Sequence, residues 1–151
     1  MLIGIISTVA MAQTKDATKQ KKQVEVPAIV KQSFEKEYPK TKVKWEAEGD
    51  GFEAEFQMNG KDASAFYDKD GDKKELEEEI QKQELPASVI EYVKKNYSDY
   101  QITETSKITA NKLVICYEVE VKKDDKKTDL IFDSKGVFIK GGFKSQMQLY
   151  C

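Results

Sequence analysis

The chain has 151 residues with 27 acidic and 25 basic side chains, and every basic one is Lys: there is no His and no Arg. That composition removes Ser-His-Asp and Cys-His catalysis, His-ligated metal sites and bidentate guanidinium clamps. A net charge of −2 gives no long-range field for a phosphate backbone, which argues against nucleic acid as a partner.

Residues 1–12 form an uncharged apolar run (Leu2, Ile3, Ile5, Ile6, Val9) that ends in Ala10-Met11-Ala12 and gives way to polar Gln13-Thr14-Lys15-Asp16. This reads as the apolar region and cleavage site of a signal peptide, truncated at its start because no Lys precedes it. A membrane-spanning helix needs about 20 apolar residues, so the run implies export rather than membrane insertion. Residues 13–23 are rich in Lys, Gln, Thr and Asp and read as a disordered leader.

From residue 24 onward the sequence repeats. Val26-Pro27-Ala28 returns as Leu85-Pro86-Ala87, and the same offset carries Val30, Phe34 and Tyr38 onto Val89, Val93 and Tyr97. Further along, Phe52-Glu53-Ala54-Glu55-Phe56 meets Tyr117-Glu118-Val119-Glu120-Val121, Phe66 meets Ile131, and Gly71 meets Gly136. One order of helix, strand and turn signals shared by both stretches marks two copies of one unit, 24–82 and 83–140. Each opens with Pro at the first helical position, followed by apolar residues at i, i+4 and i+8.

After each helix the period switches to two. Val43, Trp45 and Ala47 alternate with Lys and Glu, as do Phe52, Ala54, Phe56 and Met58, and Asn59-Gly60 is a hairpin signal. Further strands are expected near 61–68, 73–80, 101–109, 113–122, 127–133 and 137–140. The expected fold is α+β: two tandem α-β4 repeats forming one antiparallel sheet, with both helices on one face. Trp45, Phe52, Phe56, Tyr67, Leu113, Ile115, Tyr117, Val119 and Phe132 have the parity of the helix-covered face. Residues 141–151 form a C-terminal tail outside the repeat. Cys116 reads as a small packed side chain, and neither the number nor the spacing of Cys116 and Cys151 favours pairing.

The Val-Pro-Ala and Leu-Pro-Ala helix starts, Tyr38-Pro39, Val43-Lys44-Trp45, and the turns Tyr67-Asp68-Lys69-Asp70-Gly71 and Phe132-Asp133-Ser134-Lys135-Gly136 resemble the PepSY-like family over residues 24–140. The family consists of small exported bacterial proteins, common in Bacteroidetes, with a fold similar to that of the beta-lactamase-inhibitor protein. The resemblance implies a periplasmic, non-catalytic protein with no catalytic residues or cofactor to transfer. PepSY domains more broadly have been proposed to inhibit peptidases.

Asp68, Asp70 and Asp72 have the spacing of the start of a calcium loop, but Gly71 stands at the fourth position where such a loop needs Gly at the sixth, so a strand-connecting turn is expected and no metal. Carboxylate pairs such as Glu53 and Glu55 follow from strand alternation and read as solvated. On the face away from the helices, Phe66, Ile131 and Val114 are expected as an apolar spot rimmed by Lys42, Lys44, Glu53, Glu55, Glu118 and Glu120. That pattern suits recognition of a protein or peptide in the cell envelope, with the C-terminal tail as an alternative cover. The rival functions are a small-ligand or ion sensor and a carboxylate-based hydrolase.

Overall fold

Proline sets the start of both helices in the computed structural model, which describes residues 24–111 and 114–142. Helix α1 spans Ala28–Glu37 and α2 spans Ala87–Asn96. Pro27 and Pro86 stand at the N-cap, one position earlier than expected, with extended ψ angles of 145° and 142°. The Pro27 carbonyl accepts the Lys31 N–H at 3.2 Å. A proline suits that position as well as the next, because its fixed φ fits and it has no donor to leave unpaired. Both helices close alike: the N–H of Tyr38 donates to the Phe34 carbonyl and that of Tyr97 to the Val93 carbonyl, each at 2.8 Å.

Eight strands follow in chain order: β1 Val43–Glu48, β2 Gly51–Met58, β3 Lys61–Tyr67, β4 Lys73–Glu79, β5 Gln101–Ala110, β6 Val114–Lys123, β7 Lys126–Asp133 and β8 Phe138–Gly142. They form one antiparallel sheet in the order β1-β2-β3-β4-β5-β6-β7-β8. The two copies are thus joined edge to edge through β4 and β5, where Glu77 faces Ile108. Asn59 and Gly60 both have positive φ, 54° and 78°, the two-residue turn that Asn-Gly encodes. Among the described residues no helix is long and apolar enough to cross a membrane. The proposed signal segment and leader lie outside the described residues.

The duplicated turns are alike in detail. The Asp68 carboxylate accepts the N–H groups of Asp70 and Asp72 at 3.0 and 2.9 Å, and that of Asp133 accepts those of Lys135 and Val137 at 2.9 and 2.8 Å. Gly71 and Gly136 then take φ of 84° and 77°. The other oxygen of Asp68 meets Lys74 at 2.7 Å, an ion pair that holds this carboxyl below its usual range with help from the turn's own N–H groups. The expected turn is what these residues make.

Each helix covers its own four strands. Val30 and Phe34 pack on Ala54, Phe56, Ala65 and Tyr67; Val89 and Val93 pack on Val119, Val121, Leu130 and Phe132. Ile115 departs from expectation. It has helix-side parity but is 37% exposed, because it pairs with Thr109 near the tip of the long β5–β6 hairpin, away from the α2 cluster. Leu113 lies outside the described residues. Cys116 is also corrected: it is buried as expected but disulfide-bonded.

Tyr67 is fully buried and its hydroxyl has no hydrogen-bond partner among the described residues. Burial, with the nearby Glu37 and Tyr38, holds this phenol well above its usual pKa. An unpaired buried hydroxyl costs on the order of 1–3 kcal/mol, so Tyr67→Phe should leave stability unchanged or raise it by about 1 kcal/mol. Urea unfolding of both forms checks this, and a loss of stability would mean that the hydroxyl has a partner.

Candidate functional site

Strand parity fixes what the face opposite the helices displays. Reading across paired residues, one row runs Glu53, Phe66, Glu75, Ala110, Val114 and the next runs Lys44, Glu55, Ser64, Glu77, Ile108, Cys116. A third runs Gln57, Asp62, then Ser106, Glu118, Ile131, Lys140. The nine residues expected at the site have this parity or border the face, but they do not form one patch.

Phe66 is on β3 and Ile131 on β7, four strands apart, a separation of about 19 Å. Equivalent positions of two copies in a sequential sheet must lie one whole unit apart, so the duplication that identified the pair also separates them. Val114 is 43% exposed near the hairpin tip. Ile131 is 1% exposed and Glu118 7% exposed, so neither stands open to a partner. The expected apolar spot with a charged rim is therefore corrected.

In its place the sheet carries a polar hollow of about 660 Å³, lined mostly by the first copy and closed on one side by β5 of the second. Its walls come from β1 to β5 and include Lys42, Lys44, Glu53, Glu55, Asp62, Ser64, Glu77, Glu79, Glu104 and Ser106. Six carboxylates face two lysines in this lining. Lys44 bridges Glu46 and Glu55 at 2.7 Å each, and those two hydrogen bonds, Glu46 first, push its ammonium further above its usual pKa. Gln57 bonds Asp62, and Glu79 accepts the Asp62 N–H at 3.3 Å. Glu120 stands beyond the hollow, paired with Lys127 at 2.9 Å.

Asp62, Glu77, Glu79 and Glu104 are not among the residues that the sequence singles out for the site. The signal that could have found them is the register: once β4 is paired between β3 and β5, every second Glu of 75–79 falls on the same face as Glu55. Among the described residues, no group of three or more Asp, Glu, Cys or His is arranged to hold a metal ion.

Comparison with known proteins agrees with the fold. A family model described as PepSY-like, and as a candidate beta-lactamase-inhibitor-like family, matches residues 13–71 and 49–140. Solved structures with the same fold include a candidate periplasmic protein of Bacteroides eggerthii, 20% identical, with a TM-score of 0.69 over 79% of this chain and 89% of that one. Others are a DUF2874 family protein of Bacteroides uniformis (22% identity, TM-score 0.67, 82% and 93% covered) and a BLIP-like protein of Bacteroides fragilis (21%, 0.60, 79% and 86%). No curated protein sequence matches the chain.

Proposed function

The chain belongs to the PepSY-like family, and from that premise we propose that it is an exported, non-catalytic module of the bacterial envelope that binds a protein or peptide through the hollow on its open sheet face. The observation that carries this reading is the hollow itself: broad, polar, and lined by six carboxylates against two lysines. A wide, charged sheet face suits a macromolecular surface better than a small molecule, which is held in a more enclosed and more apolar site. The sign of the charge names the partner's chemistry. Its contacting surface is rich in Lys or Arg, and attraction to the acidic hollow steers it into place.

Lys42 and Lys44 then fix orientation among Glu53, Glu55, Glu77 and Glu104, and Phe66 supplies apolar contact at the edge. Inhibition of a peptidase is one form this binding would take. Export to the periplasm is supported by the apolar segment 1–12 and by the Bacteroides protein described as a candidate periplasmic protein.

Charge reversal at opposite walls of the hollow tests the reading. Glu55→Lys combined with Glu104→Lys should weaken capture of the partner from envelope extract at least about tenfold, and added salt should weaken wild-type capture. Glu91→Lys, on the exposed side of α2, should change neither. Equal capture by the double variant and the wild type would show that the partner binds elsewhere.

A further inference from the structure

The two copies differ at the outer edge of their first strand. β1 and β5 are equivalent, since the offset that carries Tyr38 onto Tyr97 also carries Val43 onto Ile102. β5 has β6 on one side and takes β4, antiparallel, on the other. β1 has β2 on one side, and among the described residues no strand lies on its other. Its register with β2 runs unbroken from Val43 to Glu48, without the shifts that interrupt β3–β4, β5–β6 and β7–β8. A regular outer strand presents a row of backbone donors and acceptors to any chain that can lie beside it.

Charged side chains on such an edge ordinarily deter pairing. Here their order favours one neighbour. Residues 42–48 read Lys-Val-Lys-Trp-Glu-Ala-Glu, with both lysines before Trp45 and both glutamates after it. Laid antiparallel against itself about Trp45, the segment sets Lys42 opposite Glu48 of the partner subunit and Lys44 opposite Glu46 of the partner subunit. Facing positions hold their Cβ atoms about 4.5–5.5 Å apart, so both ion pairs and their symmetry mates are within reach. A slide of two residues sets Lys44 or Glu46 against its own copy, and a parallel neighbour in register sets like against like throughout. The charges therefore select one register and one direction.

The side chains are accessible for this, with Lys44 56% and Glu46 44% exposed. Lys44 already bridges Glu46 and Glu55 of its own chain, and an ammonium carries three donors, so a third carboxylate joins without displacing either. On the helix side Trp45 is half-buried against Phe34 and Tyr67, and at the centre of the pair it meets Trp45 of the partner subunit.

We propose that the chain forms a two-fold dimer by antiparallel pairing of β1 with β1 of a second copy, in the register that sets Trp45 against Trp45. The axis stands perpendicular to the sheet, so the helices of both copies stay on one side and the open faces on the other. A contact one strand long is small, which makes the dimer weak and dependent on concentration. Lys42 and Lys44 are also in the wall of the hollow, so pairing brings two hollows onto one face across the joint. Taken with the proposed function, that gives two sites for a partner with two basic stretches, and this consequence alone rests on the binding reading.

The test needs no partner protein, so its outcome is separate from that of the capture experiment. Sedimentation velocity of residues 13–151 between about 5 and 500 μM should pass from monomer to dimer. Emission from Trp45, the single tryptophan of the chain, should move to shorter wavelength over the same range. Lys42→Glu sets Glu against Glu48 of the partner subunit at both ends of the pair and should weaken dimerisation at least about tenfold. Adding Glu48→Lys to it exchanges the two charges and should restore the dimer. Monomer at every concentration would overturn the proposal, and that result needs no variant to fold. A dimer as strong in Lys42→Glu as in wild type would place the contact on another surface, and growth beyond dimer would point to head-to-tail pairing of β1 with β8; either would overturn it as well.

Discussion

Phe34→Ala should lower the free energy of unfolding by about 3–5 kcal/mol, close to the whole stability of many domains of this size. Phe34 is 1% exposed, and its ring centroid lies 5.1 Å from Tyr38, 5.5 Å from Trp45, 5.1 Å from Phe56 and 6.4 Å from Tyr67. Removing it empties the centre of an aromatic cage whose members stand on different elements, and the cage cannot close without moving α1 off the sheet. Each edge-on pair adds about 0.5–1.5 kcal/mol to the area term. The equivalent residue of the second copy is Val93, smaller and without ring partners, so Val93→Ala should cost about 1–3 kcal/mol. Trp45 lies in the first copy only. Because β4 and β5 join the copies, its fluorescence and the far-ultraviolet circular dichroism of the whole chain should report one transition in the Phe34 variant. Two separate transitions would show that the halves unfold independently.

Gly136→Ala should cost about 2–4 kcal/mol, although it adds one methyl group. Gly136 has φ of 77°, a left-handed conformation that costs a residue with a Cβ about 1–2 kcal/mol. The new Cβ would also stand 2.1 Å from the Ser88 Oγ and 3.1 Å from both the Pro86 Cβ and the Val89 Cγ2, and crowding of that kind costs about 1–3 kcal/mol. The turn presses on the start of α2, and the Ser88 hydroxyl donates to the Lys135 carbonyl at 3.0 Å to hold it there. Gly60→Ala is the control, having φ of 78° and nothing within 4 Å of the added carbon, so it should show the conformational cost alone. Repeating Gly136→Ala in a Ser88→Ala background removes the nearest clash and should recover part of the loss. Thermal or urea unfolding reads all four variants, and equal costs at Gly60 and Gly136 would remove the packing argument.

The duplication made the scaffold readable from sequence: the Pro-led helices with apolar residues four apart, the strands of period two, and the paired Asp-to-Gly turns all stand where their residues imply. Parity also placed Phe66, Ile131, Glu55 and Glu118 on the correct face. It could not tell how far apart Phe66 and Ile131 would be, because that distance is set by strand order across four neighbours rather than by local pattern. It could not reveal the burial of Ile131 either, because alternation says which way a side chain points and nothing about what meets it there. Glu77 and Glu104 escaped notice for a related reason: each reads locally as one more solvated carboxylate, and only the β3-β4-β5 register gathers them opposite Glu55. The family resemblance to PepSY-like proteins held over the repeat, and it carried no residue-level information about the open face.

The unbroken order of the sheet bears on how the chain is made. Every strand pairs only with the strands next to it in sequence. A polypeptide that emerges N-terminus first therefore never waits for a distant segment before it can add a strand: β2 closes on β1, β3 on β2, and so on to β8. Long-range pairing, the slow and aggregation-exposed step of many β-rich proteins, is largely avoided, with one longer pause while α2 is threaded between β4 and β5. Assembly can keep pace with delivery, each strand adding to an edge that is already formed.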